Sequence, residues 1–175
     1  MMSVTSLMQY RFLLAAALTL AGCRSYDTAT APNGSTATGT PRYDAGQAPR
    51  NSLPLQELAQ AKAAAGRYHD IRKAIADGYH DTGIVLPNMG RHFLNEDLLD
   101  TKFEAGHPEL LVYTSDSTNL LALEYAQPLS NTPPEGFQGD ADKWVPFGGV
   151  FWTLHAWVWK DNPDGVFNPT NSQVQ

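Results

Sequence analysis

Residues 147–159, FGGVFWTLHAWVW, are the densest apolar and aromatic run beyond the N-terminal leader, and they hold three of the four tryptophans. Val150, Trp152, Leu154, Ala156 and Val158 alternate with Phe151, Thr153, His155, Trp157 and Trp159. Both sets are largely apolar, so the run reads as a strand covered on both faces rather than one lying half in water. A single imidazole, His155, sits in its middle. A buried histidine there has to be hydrogen-bonded, paired or metal-bound, because an unsatisfied buried polar group costs about 1–3 kcal/mol. The fold is therefore expected to centre on this strand, and His155 is the side chain that needs an account.

Working outward, two β-rich runs precede it. Residues 109–114, ELLVYT, and 119–125, NLLALEY, are separated by the turn residues Ser115, Asp116, Ser117 and Thr118, which predicts an antiparallel hairpin. Leu121, Leu123 and Tyr125 are expected on one face, with Leu120, Ala122 and Glu124 on the other. Glu124 stands out: a carboxylate in an apolar strand is at an edge, paired, or part of a site. Between the second run and the aromatic strand lies 127–143, rich in proline, glycine and acid. Its length suggests a lid or binding loop, with Asp140 and Asp142 solvated. After the strand, KDNPDGVFNPTN reads as successive turns that tuck Val166 and Phe167 onto the domain.

Upstream, 88–95, NMGRHFLN, reads as a loop that places a thioether, Met89, three residues before an imidazole, His92. Before it, 55–77, LQELAQAKAAAGRYHDIRKAIAD, carries Leu58, Ala61, Ala65, Tyr68, Arg72, Ile75 and Tyr79 near helical spacing. Asn51 or Ser52 is the expected cap, Pro54 suits the first turn and Gly78 ends the helix. His69 and His107 read as edge or solvated residues. The expected fold class is α+β: one long N-terminal helix packed on a mostly antiparallel sheet, in a single domain spanning 51–175.

The N-terminal third has a different character. Arg11 precedes an apolar run, 12–20, FLLAAALTL, of signal-peptide length and too short to span a bilayer. Leu20-Ala21-Gly22-Cys23 follows directly and resembles the bacterial lipoprotein box. That resemblance implies removal of 1–22, lipidation of Cys23 with fatty acyl chains such as palmitate, and anchoring to a membrane. With Arg24 next, it implies an outer-membrane lipoprotein facing the periplasm if the source is Gram-negative. Residues 23–50 are rich in Ser, Thr, Ala, Gly and Pro and poor in large aliphatics, the composition of a flexible tether. Cys23 is the sole cysteine, so the domain has neither a disulfide nor a thiolate cluster. Charged residues are 17% and the net charge is −6 with scattered bases, which gives no basic face for nucleic acid.

GYHDTG (78–83), MGRHF (89–93), PELLVY (108–113), LALEY (121–125) and LHAWVWKDNPDGVF (154–167) occur here in this order. In that set the chain resembles a bacterial family of secreted and lipid-anchored proteins, over roughly 68–168. The resemblance implies that the phrases form one domain. It carries no activity, so it implies none.

The chain has no G-x-S-x-G, H-E-x-x-H, Walker loop, G-x-G-x-x-G or C-x-x-C. No motif marks it as an enzyme. His92, Glu124 and His155 all sit among apolar neighbours, with Met89 as a fourth candidate. Two imidazoles and a carboxylate suit Zn, Cu or non-haem Fe, and a thioether favours copper. Two other readings stay open. Glu124 and His155 can be a cross-strand hydrogen-bonded pair with His92 independent. Alternatively, the domain is a non-catalytic envelope module that binds a partner protein or small apolar ligand through the aromatic strand and the 127–143 loop.

Overall fold

The structure, a computed structural model, describes residues 52–175. The leader, Cys23 and the whole of the tether lie outside the described residues. The architecture is a six-stranded, wholly antiparallel sheet curled into a half-barrel, in the order β1-β2-β3-β4-β6-β5. Its strands are β1 (His80–Leu86), β2 (Gly90–Leu94), β3 (Leu110–Tyr113), β4 (Leu120–Pro128), β5 (Val145–Phe147) and β6 (Phe151–Ala156).

Among the described residues there is no long N-terminal helix, so the expected α+β class is corrected to a sheet-dominated fold with short helices. Helix α1 is Ser52–Ala65. A 3-10 turn, Gly66–His69, follows, and a separate helix α2 covers only Ile71–Ala76. The break has two causes. Gly66 weakens the helix where it sits. Asp70 then adopts an extended conformation and caps a new helix, its carboxylate accepting from the Arg72 N–H. The apolar stripe consequently changes phase. Leu58, Ala61, Ala65, Tyr68 and Tyr79 are buried as expected, but beyond the break Ala74 goes inside while Ile75 is 56% exposed.

The loop expected at 88–95 is also corrected. Gly90–Leu94 is a strand, and β1 and β2 form a hairpin around the turn at 87–89. Gly90 carries φ +102, and a Cβ there would collide with the Tyr113 carbonyl, so a glycine is required for β2 to approach β3. The β3–β4 hairpin forms as expected, with one irregularity. Val112 pairs with Ala122 but Tyr113 with Leu120, so Leu121 is the extra residue of a bulge. Leu120 thereby joins the face of Leu123 and Tyr125, and Leu121 joins Ala122 on the other. The aromatic run is a hairpin end as well as a strand. Phe147 closes β5, Gly148 and Gly149 take the turn at positive φ, and β6 follows.

Both sheet faces are covered, as the aromatic run required. On the first face Leu111, Tyr113, Leu123, Tyr125 and Leu154 pack with Leu58, Ala61 and Tyr68, and with Phe137 and Phe167 from the two long loops. Each fully buried leucine contributes about 1.5–3 kcal/mol. The buried tyrosines on this side anchor loops by donating to backbone carbonyls: Tyr113 to Tyr68 at 2.6 Å, Tyr79 to Pro108 at 2.5 Å and Tyr125 to Ala105 at 2.8 Å. On the second face Val112, Leu121, Ala122 and Trp157 are capped by Val174 from the C-terminal segment.

Candidate metal centre

His92, Glu124 and His155 are carried by β2, β4 and β6. Strand register brings them onto the second face. Glu124 lies directly opposite His155, and His92 pairs with Val112, which in turn pairs with Ala122, two residues from Glu124. The sheet is central at β4, so the group lies well inside. The three residues are 4%, 3% and 0% exposed.

One ligand atom from each residue lies within 4.8 Å of the others. His92 Nε2 stands 3.4 Å from Glu124 Oε2, and His155 Nδ1 stands 3.8 Å from Glu124 Oε1. These separations are longer than those of a hydrogen-bonded pair and are of the size found between two ligands of one ion. A charge-assisted N–H···O bond sits near 2.7–2.9 Å, whereas two ligands each ~2.1 Å from a tetrahedral ion stand about 3.4 Å apart. The orientations agree with the distances. Glu124 Oε2 and both ring nitrogens of His155 are buried without any hydrogen-bond partner. The cross-strand Glu124–His155 bond is therefore not made, although the two residues are neighbours in register.

His92 is held from β1. Three residues of β1, Thr82, Gly83 and Ile84, stand opposite His92 alone, between the pairs Asp81–Phe93 and Val85–Arg91. Within this bulge Thr82 Oγ1 donates to the His92 carbonyl at 2.9 Å, and the Ile84 carbonyl faces His92 Nδ1 at 3.4 Å. A carbonyl can only accept, so Nδ1 is the donor in that contact, and Nε2 is the ring nitrogen that faces Glu124. Trp157 stacks on the His155 ring, with centroids 5.7 Å apart and planes 14° apart. Burial holds the His155 pKa below its ordinary value; the Glu124 charge opposes this and His92 reinforces it. His155 is thus a neutral imidazole at pH 7, the form that ligates.

Met89, the fourth candidate, occupies the β1–β2 turn, half-buried, one residue before β2. The other histidines lie apart from the group. His69 is exposed and meets Trp159 edge-on, and His107 is exposed beside Glu104. The loop before β5 buries Phe137, and Asp142 is half-buried in it, its pKa raised to about 6 by desolvation rather than solvated as expected.

Two buried polar residues were not singled out from sequence. Glu109 is 3% exposed, accepts from the Ala126 N–H at 3.1 Å, and has its pKa pushed up to about 8, first by burial. Its setting at the head of an apolar run is the same signal that marked Glu124. Thr153, 4% exposed, lies on the face of His155 with its hydroxyl unpartnered. A threonine in a strand is too ordinary to flag.

No family model, curated protein or solved structure matches the chain.

Proposed function

We propose that this chain is a lipid-anchored bacterial envelope protein whose domain binds one divalent transition ion through His92, Glu124 and His155. The observation that carries the reading is a clustering of orphaned polar atoms. Among the described residues, four of the five buried side-chain N and O atoms without a partner belong to Glu124, His155 and Thr153, which share one sheet face. Such atoms each cost about 1–3 kcal/mol when left unmade, and a shared cation satisfies the carboxylate and an imidazole at once. Two nitrogens and one oxygen suit Zn, Cu(II) or non-haem Fe(II), and Met89, near in sequence, favours copper. The anchor rests on the lipobox at Cys23 and on the tether composition, and the outer membrane is its expected site in a Gram-negative source.

Burial favours this reading over a partner-binding module. Trp157 and Phe137, from the aromatic run and from the long loop, are spent in the interior. The test is elemental analysis of the purified full chain, followed by titration with Zn, Cu and Fe against a competing chelator. One equivalent of tightly held metal is expected. A chain that takes up none of the three defeats the proposal.

A further inference from the structure

Three protein ligands leave a transition ion with an open position. What occupies that position depends on charge. Two neutral imidazoles, one carboxylate and a divalent ion sum to +1. Among the described residues the group of ligand-type side chains holds a single acid, Glu124, so no second carboxylate compensates. All three residues are at most 4% exposed, and an uncompensated charge at such depth is strongly disfavoured. A fourth ligand carrying one negative charge neutralises the site; a water does not.

The second face holds a donor for such a ligand. Thr153 precedes His155 by two residues on β6, so the two side chains stand about 7 Å apart on the same face. Opposite Thr153 is Ala126, which presents only a methyl, and diagonal to it is Glu124. The Thr153 hydroxyl is buried and has no partner of its own. An ion-bound oxygen or nitrogen at ~2.0–2.2 Å, extended by a hydrogen bond of ~2.7–2.8 Å, spans most of that separation.

We infer that Thr153 is the anion-positioning residue of this centre: the ion's open position takes a small monoanion, of the size of hydroxide, azide or formate, and Thr153 Oγ1 donates a hydrogen bond to it. This rests on the metal reading above. Thr153 is not itself a ligand, and the depth of the group excludes anything bulkier than a few atoms.

The test uses Co(II) as a visible probe of the full chain and azide as the probe anion. Wild-type chain, Thr153→Val and Thr153→Ser are each loaded with one equivalent of Co(II) and titrated with azide by absorption spectroscopy. The expected result is azide binding by the wild type, a loss of tenfold or more in azide affinity for Thr153→Val, and recovery in Thr153→Ser, while Co(II) affinity changes less than threefold throughout. Valine matches threonine in shape and removes only an orphaned hydroxyl, so the metal-free variant should melt no lower than wild type. Equal azide affinity in wild type and Thr153→Val overturns the anion role and leaves the metal site standing. A tenfold loss of Co(II) affinity in Thr153→Val makes Thr153 a ligand and overturns the role as stated. Failure of the wild type to bind Co(II) removes the metal centre and the anion position together.

Discussion

Glu124→Gln separates a metal centre from a structural ion pair, because the two accounts predict opposite signs. In the metal-free protein Glu124 is 3% exposed, its Oε2 has no hydrogen-bond partner, and its nearest nitrogens lie 3.4 and 3.8 Å away. A buried charge so poorly compensated costs several kcal/mol, against about 1–3 kcal/mol for a neutral polar group in the same place. The amide should therefore raise metal-free stability by about 1–2 kcal/mol, a rise of roughly 3–10 °C in melting temperature for a domain of this size. Metal affinity should move the other way. Loss of a group behind a ligand already costs 10–100-fold, so losing the ligand's charge should cost at least ~100-fold, or about 2.8 kcal/mol. Thermal and urea denaturation of chelator-treated protein measure the first effect, and chelator competition the second. A Glu124→Gln chain that is less stable without metal, and binds metal as the wild type does, refutes the reasoning and restores the structural pair.

His155→Ala should abolish binding of one metal equivalent, while His69→Ala, at an exposed position beside Trp159, should leave the titration unchanged. Glu109 supplies a pH dependence remote from the metal. Its ordinary value is 4.5 and burial raises it to about 8, so between those values the folded chain holds a proton that the unfolded chain has released. Stability is then greatest below about pH 4.5 as far as this group is concerned, and falls by up to about 1.4 kcal/mol per pH unit until about pH 8. Urea midpoints of Glu109→Gln should lack this slope, and a slope equal to that of the wild type would assign it elsewhere. Cys23→Ser should release the chain from the membrane fraction on cell fractionation; retention there would rule out the lipid anchor.

The candidate ligands were legible in the sequence for one physical reason. Glu124 and His155 are polar side chains that apolar neighbours on both sides force indoors, and His92 is followed by Phe93 and Leu94, which do the same from one side. Their convergence was not legible, since it depends on strand order and on two bulges. The bulge at Leu121 shifts the alternation of β4, and the one at 82–84 turns the Ile84 carbonyl towards His92. Gly83, a glycine inside a strand-forming run, was the available sign of the latter. The long helix failed for a local reason. Helical spacing persists from Leu58 to Tyr79, but Asp70 is a better cap than helix interior, and the chain restarts there. His92 was placed in a loop because Pro87, Asn88 and Gly90 are turn residues. Pro87 and Asn88 do make a turn, which ends at Met89, and Gly90 already belongs to the strand that carries His92. In the sequence Glu109 reads as a strand edge and Thr153 as an ordinary strand residue.

The most direct test of the central claim is a crystal of the full chain grown with Zn or Cu and measured at the metal's absorption edge. The account predicts one anomalous peak at full occupancy on the second sheet face, about 2.0–2.2 Å from His92 Nε2, one Glu124 oxygen and one His155 nitrogen. A map with no peak between these three residues, or with the metal held only at exposed histidines such as His69 or His107, contradicts it.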